Sequence, residues 1–526
     1  MEASDREAGA EPRSAARGLR WVAPACALLV IGCELGLVAA HARLPTNDGP
    51  SHQYSAWVAH RLAVDPGGPL AAAFELNPRR IYPNVVYSWF LEAFAGTLPM
   101  PLAERLGAAL YLIALPFSVG LFSRALGGEP WLPALAAAAL ALGFPFFMGF
   151  FGFLWGVPLA FLYWAVTIRV RNRPDALGLV LANALAALVF CAHLVAFVVA
   201  VVGALVLIAS GPWRRPRTWL ALAGVLPVAA LAPWFWPRTV GPGAELHWTE
   251  SPVERFLSTA TLGVGSAFGG AERIGAALAG LGLGAAVAVA LARAPRDRKG
   301  RRELVTLLLV LVALALLAPS AVGSGSFLAE RLMLFAWLVA SVALGTLGVR
   351  GRAALALAIL AAGAVHLGFL ERRCRDFDRE LEVYLSALDR IPAGSELYTF
   401  VNVPPHRDYV VLPMATASCY YHLALGTANY GLYQAAPPDA PYFPIRFTQS
   451  ARRRFPRDVP RGHLALGRAR PWADYLLLWR AAPREIARVE ARGEYQLEFE
   501  RDSLRLYRRA ARGAASSRPP GQTGGE

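Results

Sequence analysis

Residues 21–42 read WVAPACALLVIGCELGLVAAHA, an apolar stretch in which Glu34 is the one charged residue. A helix that crosses a membrane needs about 20 predominantly apolar residues, so this stretch is long enough to span. Apolar residues make up 56% of the 526-residue chain and charged residues 17%, and the mean hydropathy is +0.40. A water-soluble fold cannot bury that much apolar surface. The sequence therefore predicts an α-helical polytopic membrane protein.

Further runs without Asp, Glu, Lys or Arg follow at 106–123, 130–168, 176–213, 218–237, 274–292, 304–329, 332–349 and 353–370. Two of these runs are long enough to cross twice. The first would turn near residues 149–152, and the second would form a tight hairpin with its tip at 191–193. The predicted total is about eleven transmembrane helices in a transmembrane domain of residues 21–370.

Arginine supplies 51 of the 52 basic residues, and Lys299 is the only lysine. The arginines lie between apolar runs rather than in one long block, so the net charge of +15 reflects membrane topology and not nucleic-acid binding. Basic loops prefer the cytoplasm, which predicts that the disordered tail at 1–20 is cytoplasmic and that the C-terminus is extracytoplasmic. The predicted location of the protein is the cell (inner) membrane. Residues 82–98, with Glu92 at the centre, are predicted to lie along the outer interface.

The start of the transmembrane region allows two interpretations. The tripeptide at 40–42 imitates a signal-peptidase site, but the apolar core of 21–42 exceeds the usual 7–15 residues, which favours an uncleaved anchor.

The region after residue 370 is predicted to form a small extracytoplasmic α/β domain over 371–510. It contains an amphipathic helix at 376–391 and short β-rich runs at 396–401, 409–412, 475–479, 495–500 and 504–507. Residues 511–526 are predicted to be a disordered tail. A disulfide between Cys374 and Cys419 is left open, and no cysteine spacing indicates a metal site.

The first outer loop, residues 43–104, contains the clearest candidate for chemistry. It begins RLPTNDGPSHQY, and Pro50 suits the first turn of a helix that would run to about residue 62. Asp48 would then stand at a helix N-terminus, where the positive end of the helix attracts phosphate, and His52 would follow one turn later. Alternatively, Asp48 and Ser51 are ordinary helix caps.

Three further side chains are candidates because of their placement. Glu34 lies inside a predicted span, where an ionisable group is costly and usually faces a cavity or a partner. His193 lies at the predicted hairpin tip, although packing alone would also explain it. Arg331 follows a Gly-Ser loop at 323–326 and opens a late span, which suits an anionic lipid head group or simply an interfacial arginine.

The order of these features resembles the GT-C superfamily of integral membrane glycosyltransferases, which includes the aminoarabinose and mannose transferases. The shared layout is a first span, an outer loop with an acid and an amphipathic helix, the segment YPNVVYSW at 82–89, many spans and an outer C-terminal domain. The pattern Asp48-x-Pro50-x-His52, together with FGFLWG at 151–156 and Arg331, is also similar to a poorly characterised bacterial multi-pass family related to that superfamily. The likeness extends over roughly the whole chain, but its motifs are short.

The resemblance implies transfer of a hexosyl or pentosyl group from a polyprenyl-phosphate donor to an extracytoplasmic acceptor, in some members with a divalent metal ion. Asp48 would act as general base or orient the acceptor, with His52 assisting, and Arg331 would bind the lipid phosphate. His193, Glu34 and Glu92 would line the substrate site.

The chain departs from the superfamily pattern in two places. Asn47 stands where a second acid is common, and residues 148–152 supply no acid, so Glu34 and Glu92 are the candidate substitutes. The sequence therefore leaves open whether catalysis is retained. The alternative is a non-catalytic lipid or polysaccharide transporter or an envelope-assembly protein. A transporter is expected to show inverted repeats, and the sequence contains no clear internal repeat.

Overall fold

The computed structural model describes residues 18–78, 81–211, 220–225, 230, 246–295, 298, 300–322, 325–403, 411–435, 443–454, 464, 466–469 and 471–510. Most of the predicted span at 218–237 and part of the strand predicted at 409–412 lie outside these residues. So do the C-terminal tail and most of the N-terminal tail.

The helices within the described residues are α1 (Val22–Ala40), α2 (Gly49–Val64), α3 (Val85–Phe94), α4 (Met100–Ala125), α5 (Trp131–Ala139), α6 (Phe144–Phe147), α7 (Phe151–Asn172), α8 (Ala176–Ala192), α9 (Leu194–Ala209), α10 (Pro252–Ala260), α11 (Ala271–Arg293), α12 (Arg301–Leu317), α13 (Leu328–Val342), α14 (Val349–Leu385), α15 (Ser418–Leu425), α16 (Gln449–Arg452), α17 (Leu466–Ala469) and α18 (Pro483–Glu490). The strands are β1 (Phe74–Leu76), β2 (Leu246–His247), β3 (Ala321–Val322), β4 (Leu397–Val401), β5 (Ile445–Phe447), β6 (Tyr475–Trp479), β7 (Tyr495–Arg501) and β8 (Leu504–Arg509).

Six helical stretches among the described residues are long and apolar enough to cross a membrane: Val22–Ala40, Met100–Ala125, Phe151–Asn172, Ala271–Arg293, Leu328–Thr346 and Val349–Arg390. Backbone groups in lipid must be satisfied within the segment, which is why long apolar runs fold as helices. The protein is thus a multi-pass helical membrane protein. The finer count of about eleven spans stays a prediction.

The predicted tight hairpin is present, and it turns at His193. This residue ends α8 and begins α9 in an extended conformation, with φ −168° and ψ 133°. Near its start α8 packs against the end of α7, where Gly178 lies against Val170. Helix α9 then returns along α7, and at its far end Arg171 donates to the carbonyl of Leu207 at 2.6 Å. One extended residue is enough to reverse the chain because both helices pack on the same neighbour.

The run at 130–168 does not fold as two equal crossings, which corrects the sequence prediction. Helix α5 ends after nine residues, or about 14 Å, under half the thickness of the hydrocarbon core. The chain then passes through the one-turn α6 and reaches Gly149, whose φ is +76°, before α7 begins. Most of α5 is buried by its neighbours, so it belongs to the packed interior of the helical domain.

The amphipathic helix predicted at 376–391 is present as far as Leu385, but it is the end of a longer helix. Helix α14 runs without a break for 37 residues, about 55 Å, and includes both the apolar run at 353–370 and the charged segment that follows. A helix this long exceeds the membrane thickness, so the predicted domain boundary at 371 lies inside it. The transition from apolar to charged sequence therefore lies within one helix and does not begin a new element.

The C-terminal region contains a four-stranded sheet with the order β4-β6-β8-β7. Strands β4 and β6 are parallel, and the other neighbours are antiparallel. The central strand β6 has the bounds that the sequence predicted, and β4, β7 and β8 lie within two residues of theirs. Leu477 and Trp479 pack toward α14, while Leu476 and Leu478 pack on the other face, so β6 is buried on both sides. The extracytoplasmic location of this sheet stays a prediction.

The first outer loop and the C-terminal region fold together. Strand β1 pairs antiparallel with β5, and α2 packs on α15. The hydroxyl of Tyr54 in α2 donates to the carbonyl of Thr427 and accepts from the backbone N–H of Asn429, both at 2.8 Å. These two parts of the chain therefore lie on the same side of the protein, and α2, which belongs to the first loop, lies against the C-terminal region.

Candidate functional site

Helix α2 begins where the sequence predicts, with Pro50 in its first turn. Asp48 occupies the N-cap position, but its side chain makes no capping hydrogen bond and its backbone has helical angles, φ −103° and ψ −8°. The hydroxyl of Ser51 donates back to the backbone carbonyl of Asp48 at 2.7 Å. The explanation of Asp48 as an ordinary helix cap is therefore wrong, and its carboxylate is available for other contacts.

A turn between α6 and α7 holds the start of α2 in place. The backbone N–H of Asn47 donates to the carbonyl of Phe147 at 2.8 Å, and that of Asp48 donates to Met148 at 3.2 Å. Gly149 is required here because its φ is positive and because a Cβ would lie 3.0 Å from the backbone nitrogen of Asp48. These two backbone hydrogen bonds thus fix where the Asp48 side chain begins.

Two side chains donate hydrogen bonds to the Asp48 carboxylate. Asn47 Nδ2 donates to Oδ1 at 2.8 Å, and the Tyr433 hydroxyl donates to the same oxygen at 2.9 Å. Burial raises the pKa of Asp48, while His52, these two hydrogen bonds and Arg331 oppose the rise. A carboxylate with a raised pKa is a better proton acceptor than an ordinary surface aspartate.

The His52 ring lies between two aromatic side chains. Tyr87 meets it edge-on with ring centroids 5.8 Å apart, and Phe443 stacks on it at 6.2 Å. The ring also forms a hydrogen bond with the backbone of Gly149. Burial lowers the pKa of His52 below its usual value despite the nearby Asp48, so the ring is neutral at pH 7.

Arg331 faces the same place from α13. Its guanidinium carbon lies 4.2 Å from the centroid of the Phe150 ring and 5.7 Å from that of Phe153, which are cation–π distances. Its Nε is buried without a hydrogen-bond partner among the described atoms. Arg331 interacts electrostatically with Asp48 and Glu330. A guanidinium held on aromatic faces, with a donor unused, is suited to bind an anionic oxygen ligand.

His193 lies beside this cluster and also has a structural role. Its Nδ1 accepts from the backbone N–H of Val195 at 3.1 Å and caps α9. Its ring meets Phe153 edge-on at 5.4 Å, and it interacts electrostatically with Arg331. The hairpin tip is therefore next to the arginine, although the capping bond alone would explain a histidine there.

The two acids proposed as substitutes are placed differently. Glu34 is buried in α1 and interacts electrostatically with Tyr111 of α4. Among the described residues, no contact joins Glu34 to Asp48, His52 or Arg331. Glu92 is half-buried in α3, the helix that also carries Tyr87. The role of either acid in a substrate site stays a prediction.

Two participants were not identified from the sequence. Glu104, at the start of α4, is fully buried and accepts a hydrogen bond from Gln53 at 2.6 Å, and its other oxygen lies against Gly49. A lone acid at the beginning of a long apolar run was a signal for it. Tyr433 is 385 residues from Asp48 in the chain, and no local pattern indicated that contact.

The described residues contain no group of three or more His, Cys, Asp and Glu side chains that could hold a metal ion. Asp48 and His52 alone would give a divalent cation only two protein ligands, fewer than the three or four of typical protein zinc sites. Mg²⁺, however, is bound by as few as one or two carboxylates together with substrate phosphates, so dependence on a divalent metal ion stays a prediction.

Comparisons with known proteins identify solved structures with a similar fold but no match to the sequence. No protein-family model and no curated protein matches the sequence. The chain is similar in structure to ArnT from Cupriavidus metallidurans in the apo state, with 12% identity, a TM-score of 0.54, and coverage of 94% of this chain and 98% of that one. The structure of the same protein bound to undecaprenyl phosphate matches with equal identity and coverage and a TM-score of 0.53.

A third structure, the arabinofuranosyltransferase AftD from Mycobacteria, aligns with 94% of this chain and 40% of its own at 16% identity and a TM-score of 0.49. At these identities the likeness to ArnT concerns the fold alone. ArnT is a GT-C glycosyltransferase, so the chain has the GT-C-like fold that the sequence predicted.

Proposed function

From a GT-C-like membrane fold, we propose that this protein is a glycosyltransferase that moves a sugar from a polyprenyl-phosphate donor to a hydroxyl acceptor on the extracytoplasmic face. One observation carries the proposal: the Asp48 carboxylate does not cap its helix and lies where the charge of Arg331 lowers its pKa. A base for a hydroxyl and a cation for a phosphate are the two groups that this transfer needs. The ArnT structure with bound undecaprenyl phosphate supports a lipid-linked donor.

In the proposed transfer each of these groups has one role. Asp48 accepts the proton of the acceptor hydroxyl, whose oxygen forms a bond to the anomeric carbon of the donor sugar. The bond between that carbon and the phosphate oxygen breaks, and its electron pair leaves with the polyprenyl phosphate. Arg331 stabilises the charge on the departing phosphate. His52, which is neutral, orients the acceptor or relays its proton.

The phosphate-binding role of Arg331 can be tested with undecaprenyl phosphate as the probe. Replacing Arg331 with glutamine removes a charge-assisted contact of about 1.5–3 kcal/mol, so undecaprenyl phosphate should bind about 10- to 150-fold more weakly. The measurement is the affinity of the purified protein in lipid nanodiscs for labelled undecaprenyl phosphate. Arg124→Gln, at an exposed arginine in the last turn of α4, is the matched control.

Equal affinities for wild type and Arg331→Gln would refute the assignment of this side chain. The same preparation then reports on catalysis when it is given undecaprenyl-phosphate-linked hexoses and pentoses. Tight binding without any consumption of these donors would favour the non-catalytic alternative, a lipid-binding transport or envelope-assembly protein.

A further inference from the structure

The hydroxyl of Tyr433 occupies a position that an acceptor hydroxyl requires. We infer that Tyr433 marks the acceptor subsite: the incoming acceptor displaces its hydroxyl from Asp48, so the C-terminal region controls which acceptors reach the base. This inference rests on the proposed function, because it takes Asp48 to be the base. It adds a specificity-determining residue that lies outside the first loop and the transmembrane helices.

The geometry of the contact is that of a bound acceptor. The Tyr433 hydroxyl donates to Asp48 Oδ1 at 2.9 Å. A hydroxyl that is about to lose its proton to a carboxylate must form the same kind of bond, at about 2.5–3.0 Å. Asn47 Nδ2 already donates to Oδ1 as well, so this oxygen has two donors and no room for a third. An acceptor that uses Oδ1 must therefore replace one of these two donors, and Tyr433 is the more exposed of them.

Tyr433 belongs to a segment that is anchored by its buried neighbours. Its side chain is 49% exposed, whereas its neighbours Tyr430 and Leu432 are 7% and 2% exposed and anchor the segment. The Tyr430 hydroxyl accepts from Arg454 at 2.8 Å, which ties the segment to the chain after β5. A rotation about the side-chain bonds of Tyr433 would expose Asp48 while this anchor stays in place.

The surroundings also limit the chemistry of the acceptor. The carboxylate of Asp48 would repel an anionic group at this position, which favours an uncharged hydroxyl. Phe443, from the same C-terminal region as Tyr433, stacks on His52 and supplies an aromatic wall. A hydroxyl donor beside aromatic faces is the chemistry of a neutral carbohydrate or alcohol acceptor.

Hydrolysis of the donor tests this inference, since water is the smallest hydroxyl acceptor. In that reaction water gives its proton to Asp48, its oxygen bonds to the anomeric carbon, and polyprenyl phosphate leaves. Tyr433→Phe keeps the ring but frees Asp48 from the phenol, so hydrolysis of undecaprenyl-phosphate-linked sugars without another acceptor should rise about tenfold. Ser503→Ala, which removes an exposed hydroxyl from the turn between β7 and β8, is the control and should hydrolyse donor at the wild-type rate.

A merely structural role for Tyr433 would give the opposite sign. If Tyr433→Phe lowers hydrolysis, or leaves it unchanged, the acceptor-subsite inference is wrong and the phenol instead orients Asp48 or only packs. That failure is distinguishable from failure of the proposed function. If wild type consumes donor and Asp48→Asn does not, only the Tyr433 inference is lost, whereas a wild type that consumes none of the donors overturns both.

Discussion

Replacement of Asp48 by asparagine separates a base from a structural residue. Both hydrogen bonds to the Asp48 carboxylate end on Oδ1, and the amide oxygen of asparagine can accept both of them. Asp48 makes no capping bond that could be lost. Because the side chain is half-buried and keeps its partners, the free energy of unfolding should change by less than about 1 kcal/mol.

Turnover should respond very differently from stability. An amide cannot accept the proton of a hydroxyl, and loss of a general base typically costs about 10²–10⁴-fold, or about 3–5 kcal/mol in the barrier. Asp48→Glu keeps the charge but moves it by one methylene, so a base that acts by position should still lose activity. The predicted order of rates is wild type, then Asp48→Glu, then Asp48→Asn.

The assay is consumption of undecaprenyl-phosphate-linked sugar in nanodiscs that contain equal amounts of folded protein, with thermal unfolding measured on the same samples. Asp65→Asn, at an exposed aspartate that follows the other end of α2, controls for the loss of one negative charge. Wild-type rates in Asp48→Asn at matched protein levels would remove Asp48 as the base. A large fall in unfolding temperature would instead assign it a structural role.

Two further predictions concern pH. Activity should fall on acidification with a midpoint above the usual aspartate pKa of about 3.9, because burial raises the pKa of Asp48. Because Arg331 opposes that rise, Arg331→Gln should move the acidic midpoint of the kcat/KM profile to higher pH. An unchanged midpoint would contradict the electrostatic interaction between Asp48 and Arg331. His41 joins α1 to α14 through Glu371 at 2.9 Å and Asp378 at 2.6 Å, and although burial lowers its pKa, these carboxylates raise it more. The contribution of His41 to stability should be complete below about pH 6.5 and disappear as pH rises through its raised pKa, so the thermal stability of His41→Gln should depend less on pH than that of wild type.

The sequence alone determined the membrane class, most of the described apolar helices and four strands of the C-terminal sheet. Apolar runs of about 20 residues must hydrogen-bond internally in lipid, so α1 and α4 could be located from composition. Short runs rich in residues that favour β-strands located β4, β6, β7 and β8. Pro50 predicted the start of α2 because its φ angle suits the first turn of a helix.

Only the tertiary structure decided how these elements are joined and which side chains meet. The sequence could not show that α14 continues through residue 371, because a change in polarity marks a change in solvent and not a break in hydrogen bonding. Both the capping and the catalytic interpretations of Asp48 fitted the local sequence, and the difference depends on Tyr433, which lies 385 residues away. Local pattern sets local conformation through propensity and solvent, whereas the contact between Asp48 and Tyr433 exists because α2 packs on α15 and β1 pairs with β5.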